Sequence, residues 1–305
     1  MTKNTKTIIV NSNRNADDKE NHNNQKKIAV INDFSGFGRC SIAVALPIIS
    51  AMKVQCCPLP TSIFSNHTGF DEFFFHDYTE YMPEYMSNWK KLDLEFEGIA
   101  SGFLGSKGQI EVVKNFISLF RTEKTKIIVD PVMGDYGERY PIYTDDMCSM
   151  MRDLVDCADI ITPNLTESCI ITGHKYHDGS WSLAELKELA HRFDDFGTKN
   201  VIITGIRQKG YIANLLYTKG PENPGNSSQA SEIRYVKTKR VGIDRSGTGD
   251  IFSAIIAADV VNGVPLFESV KKASKFVQNC LVITEEMNIP KTDGLCFEEI
   301  LTKLR

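Results

Sequence analysis

Three features of the 305-residue sequence predict an α/β fold with a central, mainly parallel sheet flanked by helices. Short, continuous apolar runs rich in Ile and Val recur along the chain, the pattern of strands buried on both faces. Helix-period segments alternate with them, as βαβ units require. Polar or glycine-rich turns follow the ends of several runs, and in an open parallel sheet those ends share one edge, where ligands bind. No internal repeat and no linker divides the core, so residues 27–305 read as one domain.

In chain order, residues 1–26 are rich in Asn, Lys and Asp with almost nothing to bury after Val10, and read as a disordered polar extension. Lys27–Asn32 is the first buried strand, a glycine-rich turn runs from Asn32 to Arg39, and a helix spans about Ser41 to Met52. Val54–Phe64 is a strand that Pro58 and Pro60 demote toward an edge or irregular position, since proline cannot donate to a ladder. Ser65-Asn66-His67-Thr68-Gly69-Phe70 follows, either a turn built by polar side chains or a substrate-facing loop. Tyr81–Leu92 reads as a helix, Gly98–Phe103 as a strand and Lys107–Phe120 as an amphipathic helix. The buried strand from Lys126 ends in a carboxylate, Asp130, and a turn that reaches Asp135.

A helix over Asp145–Val155 leads to the strand Asp159–Thr162, which Pro163 stops; Asn164 then caps the next helix. Ser182–Phe193 is helical and Val201–Gly205 a strand. Gly210–Tyr217 and Ile233–Thr238 form a small antiparallel edge pair around a polar insertion at 219–231. Helices fill most of 250–286, and a short helix closes the chain at Phe297–Leu304.

Composition excludes several function classes. Basic and acidic residues nearly balance, 35 against 39, and no basic stripe suggests nucleic acid. No apolar stretch approaches the ~18 residues of a membrane span. The eight cysteines show no C-x-x-C pair and no zinc spacing. Cys40, Cys56, Cys57, Cys169 and Cys280 sit in apolar surroundings as buried thiols, which suits a soluble, cytoplasmic protein.

The most informative stretch is Arg245-Ser246-Gly247-Thr248-Gly249-Asp250-Ile251-Phe252, which opens an apolar helix. Two glycines at a helix start let backbone N–H groups converge, and a helix N-terminus attracts anions such as phosphate. A carboxylate inside such a site either caps the helix or accepts a proton from a hydroxyl that attacks the phosphate. The two commonest phosphate cradles are absent: Gly36 and Gly38 do not continue into G-x-G-x-x-G, and no G-x-x-x-x-G-K occurs. Asp33, Asp130, Asn164 with Glu167, and Thr204 all stand at strand ends, so a parallel sheet can bring them to one crevice with Gly247–Asp250. Phosphoryl transfer from ATP needs that set of parts, with Asp130 and Glu167 as candidate Mg²⁺ holders, directly or through water.

These motifs resemble the pyridoxal kinase group of the ribokinase-like superfamily, most closely its bacterial pyridoxamine kinases, over roughly Lys27–Thr284. Gly247-Thr248-Gly249-Asp250 is similar to the superfamily's anion hole and base, and Asn164-Leu165-Thr166-Glu167 to its N-x-x-E metal-associated motif. Phe64–Phe70, Asp130–Asp135 and Ala158–Asn164 match the pyridoxal kinase group more specifically. The resemblance implies Asp250 as base, an anion hole of Gly247, Thr248 and Gly249, and Asp130, Tyr140, Thr162, Asn164, Glu167 and Thr204 along ATP and Mg²⁺. Tyr140 would gate the phosphates and Thr68 would touch the pyridine substrate.

Two positions depart from the group: Asp33 stands where Ser is usual and Phe103 where Tyr is usual. The loop around Asp33 is partly similar to that of hydroxymethylpyrimidine kinases of thiamine synthesis, and its carboxylate could pair with a protonated amine or ring nitrogen. The implied activity is phosphorylation of the 5′-hydroxymethyl of a B6 vitamer. Hydroxymethylpyrimidine (phosphate) kinase and a non-catalytic vitamer-binding protein stand as alternatives. A homodimer, and room for a monovalent cation, are further implications of the resemblance.

Overall fold

The computed structural model describes residues 21–220 and 231–305. The chain runs β1 (Lys27–Phe37), α1 (Ser41–Ala51), β2 (Gln55–Asn66), β3 (Phe75–Asp77), α2 (Met82–Lys91), β4 (Gly98–Ser101), α3 (Lys107–Phe120) and β5 (Lys126–Val129). A hairpin of β6 (Gly134–Asp135) and β7 (Glu138–Arg139) precedes α4 (Asp145–Asp156), β8 (Ile160–Ile161), α5 (Leu165–Thr172) and α6 (Leu183–His191). Then come β9 (Asn200–Gln208), β10 (Tyr211–Thr218), β11 (Glu232–Lys239), α7 (Thr248–Asn262) and α8 (Leu266–Glu286), with a 3₁₀ turn at Glu298–Leu304.

The nine-stranded sheet has the order β11-β10-β9-β8-β5-β4-β1-β2-β3. From β9 across to β2 all pairings are parallel; β10 and β11 at one edge and β3 at the other are antiparallel. The alternation of side chains divides each apolar run between two cores. Ile31, Ile99, Val129, Ile161 and Val201 pack on one face with residues of α3, α4 and α6. Ile28, Val30, Ile128, Ile160 and Ile202 pack on the other with α1, α7 and α8. Burial on both faces is why these strands read as continuous Ile/Val runs, and α7, apolar all round, is buried among them.

The structure corrects several boundaries. The first strand continues to Phe37 instead of turning at Asn32, because β2 supplies pairing partners as far as Asn66; the register shifts between Asn32 and Phe34, leaving Asp33 at a bulge. The predicted strand Gly98–Phe103 stops at Ser101. The turn after Asp130 contains the β6–β7 hairpin, whose turn residues Tyr136 and Gly137 lie at φ +54° and +83°; a two-residue turn of this kind normally carries Asn or Gly first, so Tyr136 hid it. The edge pair is a three-stranded antiparallel unit with β9. β2 is covered by β3 only at Ser62–Phe64, and the Pro58 carbonyl accepts from the Tyr85 hydroxyl (3.0 Å), so the two prolines occupy a largely unpaired edge as their chemistry demands.

Of the predicted extension, residues 1–20 lie outside the described residues, as does most of the 219–231 insertion. Residues 21–26 dock: the Asn23 amide bonds Asp93 and Glu95 backbone, and Lys26 Nζ donates to the Val261 carbonyl (3.0 Å). No helix among the described residues is long and apolar enough to cross a membrane.

Candidate active site

Sheet register positions the site. Ile31, Ser101, Val129 and Ile161 lie side by side on β1, β4, β5 and β8. The next residue of each strand therefore points to the opposite face, which brings Asn32, Gly102, Asp130 and Thr162 into one row toward the first turn of α7.

That first turn is left open. Gly247 is the N-cap at φ +86°, a left-handed conformation that glycine adopts without strain, and no side chain caps the helix. The first intrahelical bond is Ile251 N–H to the Gly247 carbonyl (2.9 Å), so the N–H groups of Thr248, Gly249 and Asp250 precede the ladder. A Cβ on Gly247 would lie 2.2 Å from the Arg39 carbonyl, which shows how closely the segment after β1 approaches. The Thr248 hydroxyl turns back to the Arg245 carbonyl (2.9 Å), leaving the helix tip clear.

Asp250 is half-buried in this turn, and burial raises its pKa from the ordinary value, against the lowering effect of the Ser41 N–H and the Asn32 amide. Asp130 is pushed up to about 7 by burial and then by the Asp250 charge, with Thr162 and Ser253 hydroxyls acting in the other direction. The Ser253 contact is 3.4 Å; the buried Thr162 hydroxyl has no partner at good hydrogen-bond geometry, yet it lies near enough to favour the Asp130 carboxylate. Glu167, 4% exposed, is raised by burial and by the Asp130 charge. It also completes the capping box of α5: it accepts from Asn164 N–H (2.8 Å) and Met133 N–H (3.2 Å), while Asn164 Oδ1 accepts from Glu167 N–H (2.9 Å). Asn164 Nδ2 holds the β6 backbone at Gly134 (2.8 Å), and Thr204 N–H donates to Pro163 (2.8 Å), tying the ends of β8 and β9 together.

Tyr140, 40% exposed, follows the β6–β7 hairpin. Burial of its phenol, and then the charges of Glu167, Asp135, Asp130 and Asp250, push its pKa to about 12. Its ring thus borders the acidic group, where a residue gating phosphates would stand. Asp33 is buried and pushed up to about 6, first by burial and later by the Asp250 charge; its oxygens accept from Ser41 Oγ (2.5 Å) and Ser35 Oγ (3.3 Å). Both oxygens face protein hydroxyls. Phe103 is half-buried with its N–H on Asn32 (2.8 Å). Thr68 is exposed on the loop after β2, and nothing ties its side chain to the carboxylates. That loop is anchored by His67: Nδ1 accepts from Gly69 N–H (3.0 Å), which leaves Nε2 to donate to the Thr292 carbonyl (2.6 Å).

Asp33, Asp130 and Tyr140 thus lie within electrostatic reach of Asp250, Thr162 lies against Asp130, and Glu167 joins them through Asp130. Asn164 and Thr204 stand beside Glu167 at the ends of β8 and β9, and Thr68 is tied to none of them. Sequence reasoning missed Asn32, Ser41 and Ser253. Only Ser253 carried a local signal, lying three residues after Asp250 on the same helix face. A divalent cation suits Asp130 and Glu167, since the Asp130 charge raises the Glu167 pKa while the Asp250 charge raises that of Asp130, a concentration of negative charge that a metal ion would relieve. Because both Glu167 oxygens already hold backbone N–H groups, Glu167 fits a water-mediated contact better than direct ligation.

A family model for phosphomethylpyrimidine kinase matches residues 46–295. The hydroxymethylpyrimidine/phosphomethylpyrimidine kinase of Staphylococcus aureus (strain N315) is 29% identical over 190 residues, 62% of this chain and 64% of its own, so the match spans under two-thirds of that relative. Pyridoxal kinase PdxY of Deinococcus radiodurans is 24% identical over 237 residues, 75% of this chain and 77% of that one. A Bacteroides thetaiotaomicron protein named for phosphomethylpyrimidine kinase superposes with a TM-score of 0.86 at 36% identity, covering 93% of this chain and 95% of the other; its orthorhombic crystal form was obtained with pyridoxal. Pyridoxal kinase from Lactobacillus plantarum gives 0.79 at 26% identity, with 92% and 96% covered. The predicted fold class and the resemblance to the pyridoxal kinase group are both borne out.

Proposed function

Because the chain belongs to the phosphomethylpyrimidine kinase family, we propose that it uses ATP to phosphorylate the 5′-hydroxymethyl of a B6 vitamer, pyridoxamine, pyridoxal or pyridoxine. The observation that carries this reading is the uncapped start of α7 with a carboxylate of raised pKa inside it. The N–H groups of Gly247, Thr248 and Gly249 cradle the moving phosphoryl, and Asp250 takes the proton of the attacking hydroxyl; such help is worth ~10²–10⁴-fold. Asp130, Tyr140, Thr162, Asn164, Glu167 and Thr204 line the nucleotide side. Mg²⁺, held by Asp130 and through water by Glu167, would neutralise phosphate charge when bound. Asp33, Thr68 and Phe103 are assigned to the vitamin side, and Asp33→Ser with unchanged vitamer preference would remove Asp33 from recognition.

The second reading, hydroxymethylpyrimidine (phosphate) kinase, is favoured by the family match and the Staphylococcus aureus relative; the buried Asp33, with both oxygens held by serines, is poorly placed to seek the amine of pyridoxamine. Two further points support the vitamer reading. The pyridoxal-bearing neighbour is 35% identical, and the Ser65–Phe70 loop is of the pyridoxal kinase type. Coupled ADP release with each vitamer and with hydroxymethylpyrimidine decides between them. Faster turnover of hydroxymethylpyrimidine replaces the reading with the second, and no ADP release with any alcohol leaves a non-catalytic binder. A homodimer and a cytoplasmic location belong to the same proposal; sedimentation of the purified chain tests the dimer.

A further inference from the structure

We propose that Asn32 is a positioning residue for Asp250, holding the carboxylate toward the acceptor hydroxyl; the inference rests on the phosphoryl-transfer reading above. Asn32 is 6% exposed and lies just beyond the last β1–β4 pair, Ile31 with Ser101. Its Oδ1 accepts two N–H bonds, from Phe103 (2.8 Å) and from Asp33 (2.9 Å). An amide flip would set Nδ2 against those two donors, so the orientation of the group is decided by the backbone of two strands. Nδ2 is left one direction, toward Asp250 Oδ1 at 3.5 Å.

Gly102 opens the slot for this amide, since a Cβ there would lie 2.4 Å from Asn32 Nδ2. The Ser41 N–H is the second donor to Asp250, arriving from the start of α1. A carboxylate approached by donors from β1 and α1 keeps one orientation while substrates come and go, and long contacts of this kind tighten in the loaded enzyme. Asn32 itself meets Asp250 and not the reacting atoms, so it acts through that carboxylate.

The test is a double-mutant cycle of Asn32→Asp and Asn32→Ala with Asp250→Asn, read as kcat and KM for ATP with the alcohol that the wild-type protein turns over best. Asn32→Asp keeps both acceptor bonds but replaces the donor with a second carboxylate beside Asp250, whereas Asn32→Ala removes the donor without adding charge. The expected result is a fall in kcat of about tenfold or more for each single variant, KM for ATP within about twofold, and little further loss once Asp250 is Asn. A residue that merely ties β1 to Phe103 would lower the melting temperature of Asn32→Ala yet leave its kcat near wild type, and that result overturns the proposal. Losses that multiply in the Asp250→Asn background overturn it as well. Thermal melts identify a variant that does not fold, in which case the cycle with the other Asn32 variant decides. A wild-type protein that phosphorylates none of the alcohols breaks the functional reading instead, and the inference falls with it.

Discussion

Two helix starts differ in a way that organises the site: that of α5 and that of α7. α5 begins with a complete capping box, Asn164 and Glu167 each bonding the other's backbone. α7 begins at Gly247 with no side-chain cap and three N–H groups ahead of its ladder. The difference teaches that withholding the side-chain cap leaves first-turn N–H groups at α7 available to an anion, as the phosphoryl-transfer reading requires. It also separates the two carboxylates at these ends: Glu167 receives backbone N–H groups as part of the fold, whereas Asp250 stands half-buried at the edge of an open turn.

The contrast can be broken most severely at Asp250. Asp250→Asn is expected to lower kcat by roughly 10² or more with little change in KM for ATP, the pattern of a lost transition-state interaction; steady-state kinetics check it, and near-normal turnover removes Asp250 from its role. Gly247→Ala tests the open cap from the backbone side. A left-handed non-glycine residue costs about 1–2 kcal/mol, and the new Cβ would meet the Arg39 carbonyl at 2.2 Å. Denaturant melts are expected to show at least that loss, together with a rise in KM for ATP as the N–H groups shift.

Glu167→Gln sharpens the comparison, because glutamine can still accept from Asn164 N–H but gives up the Met133 bond. Stability is expected to fall by only about 1 kcal/mol, while the Mg²⁺ concentration for half-maximal activity rises, read by Mg²⁺ titration of ADP release. If activity and Mg²⁺ dependence do not move, Glu167 is a cap and nothing more.

A last effect concerns stability and pH. Burial and then the Asp250 charge push Asp130 up from its reference value of 3.8 to about 7, so across that window the folded chain keeps a proton that the unfolded chain has lost. Its contribution therefore declines as pH rises from about 4 to 7. Asp130→Asn removes the decline: its Tm is expected to exceed that of the wild type at pH 8 and to approach it at pH 5, while kinase activity falls. Scanning calorimetry at both pH values checks the sign, and a variant less stable at pH 8 would show that the carboxylate is not strained there.

Much of this was legible because it is local. The bounds of α3 follow from its periodicity, α5 starts where Pro163 and Asn164 say it must, and Gly247-Thr248-Gly249-Asp250 announces an open helix tip within a few residues. What stayed hidden depends on register between strands distant in sequence. Asn32 reads as the polar end of an apolar run until β4 places Gly102 beside it. Asp33 looks like a free loop carboxylate until the extension of β1 and the approach of Ser41 bury it. The β6–β7 hairpin was masked by one residue, Tyr136, in a conformation that its side chain gives no reason to expect.

A crystal structure of the protein with ADP, a planar metal fluoride and the preferred alcohol tests the central claim most directly. The account predicts the fluoride on the N–H groups of Gly247, Thr248 and Gly249, with the acceptor oxygen within about 3 Å of the Asp250 carboxylate. A fluoride bound away from the start of α7, or an acceptor oxygen facing a different group, would contradict it.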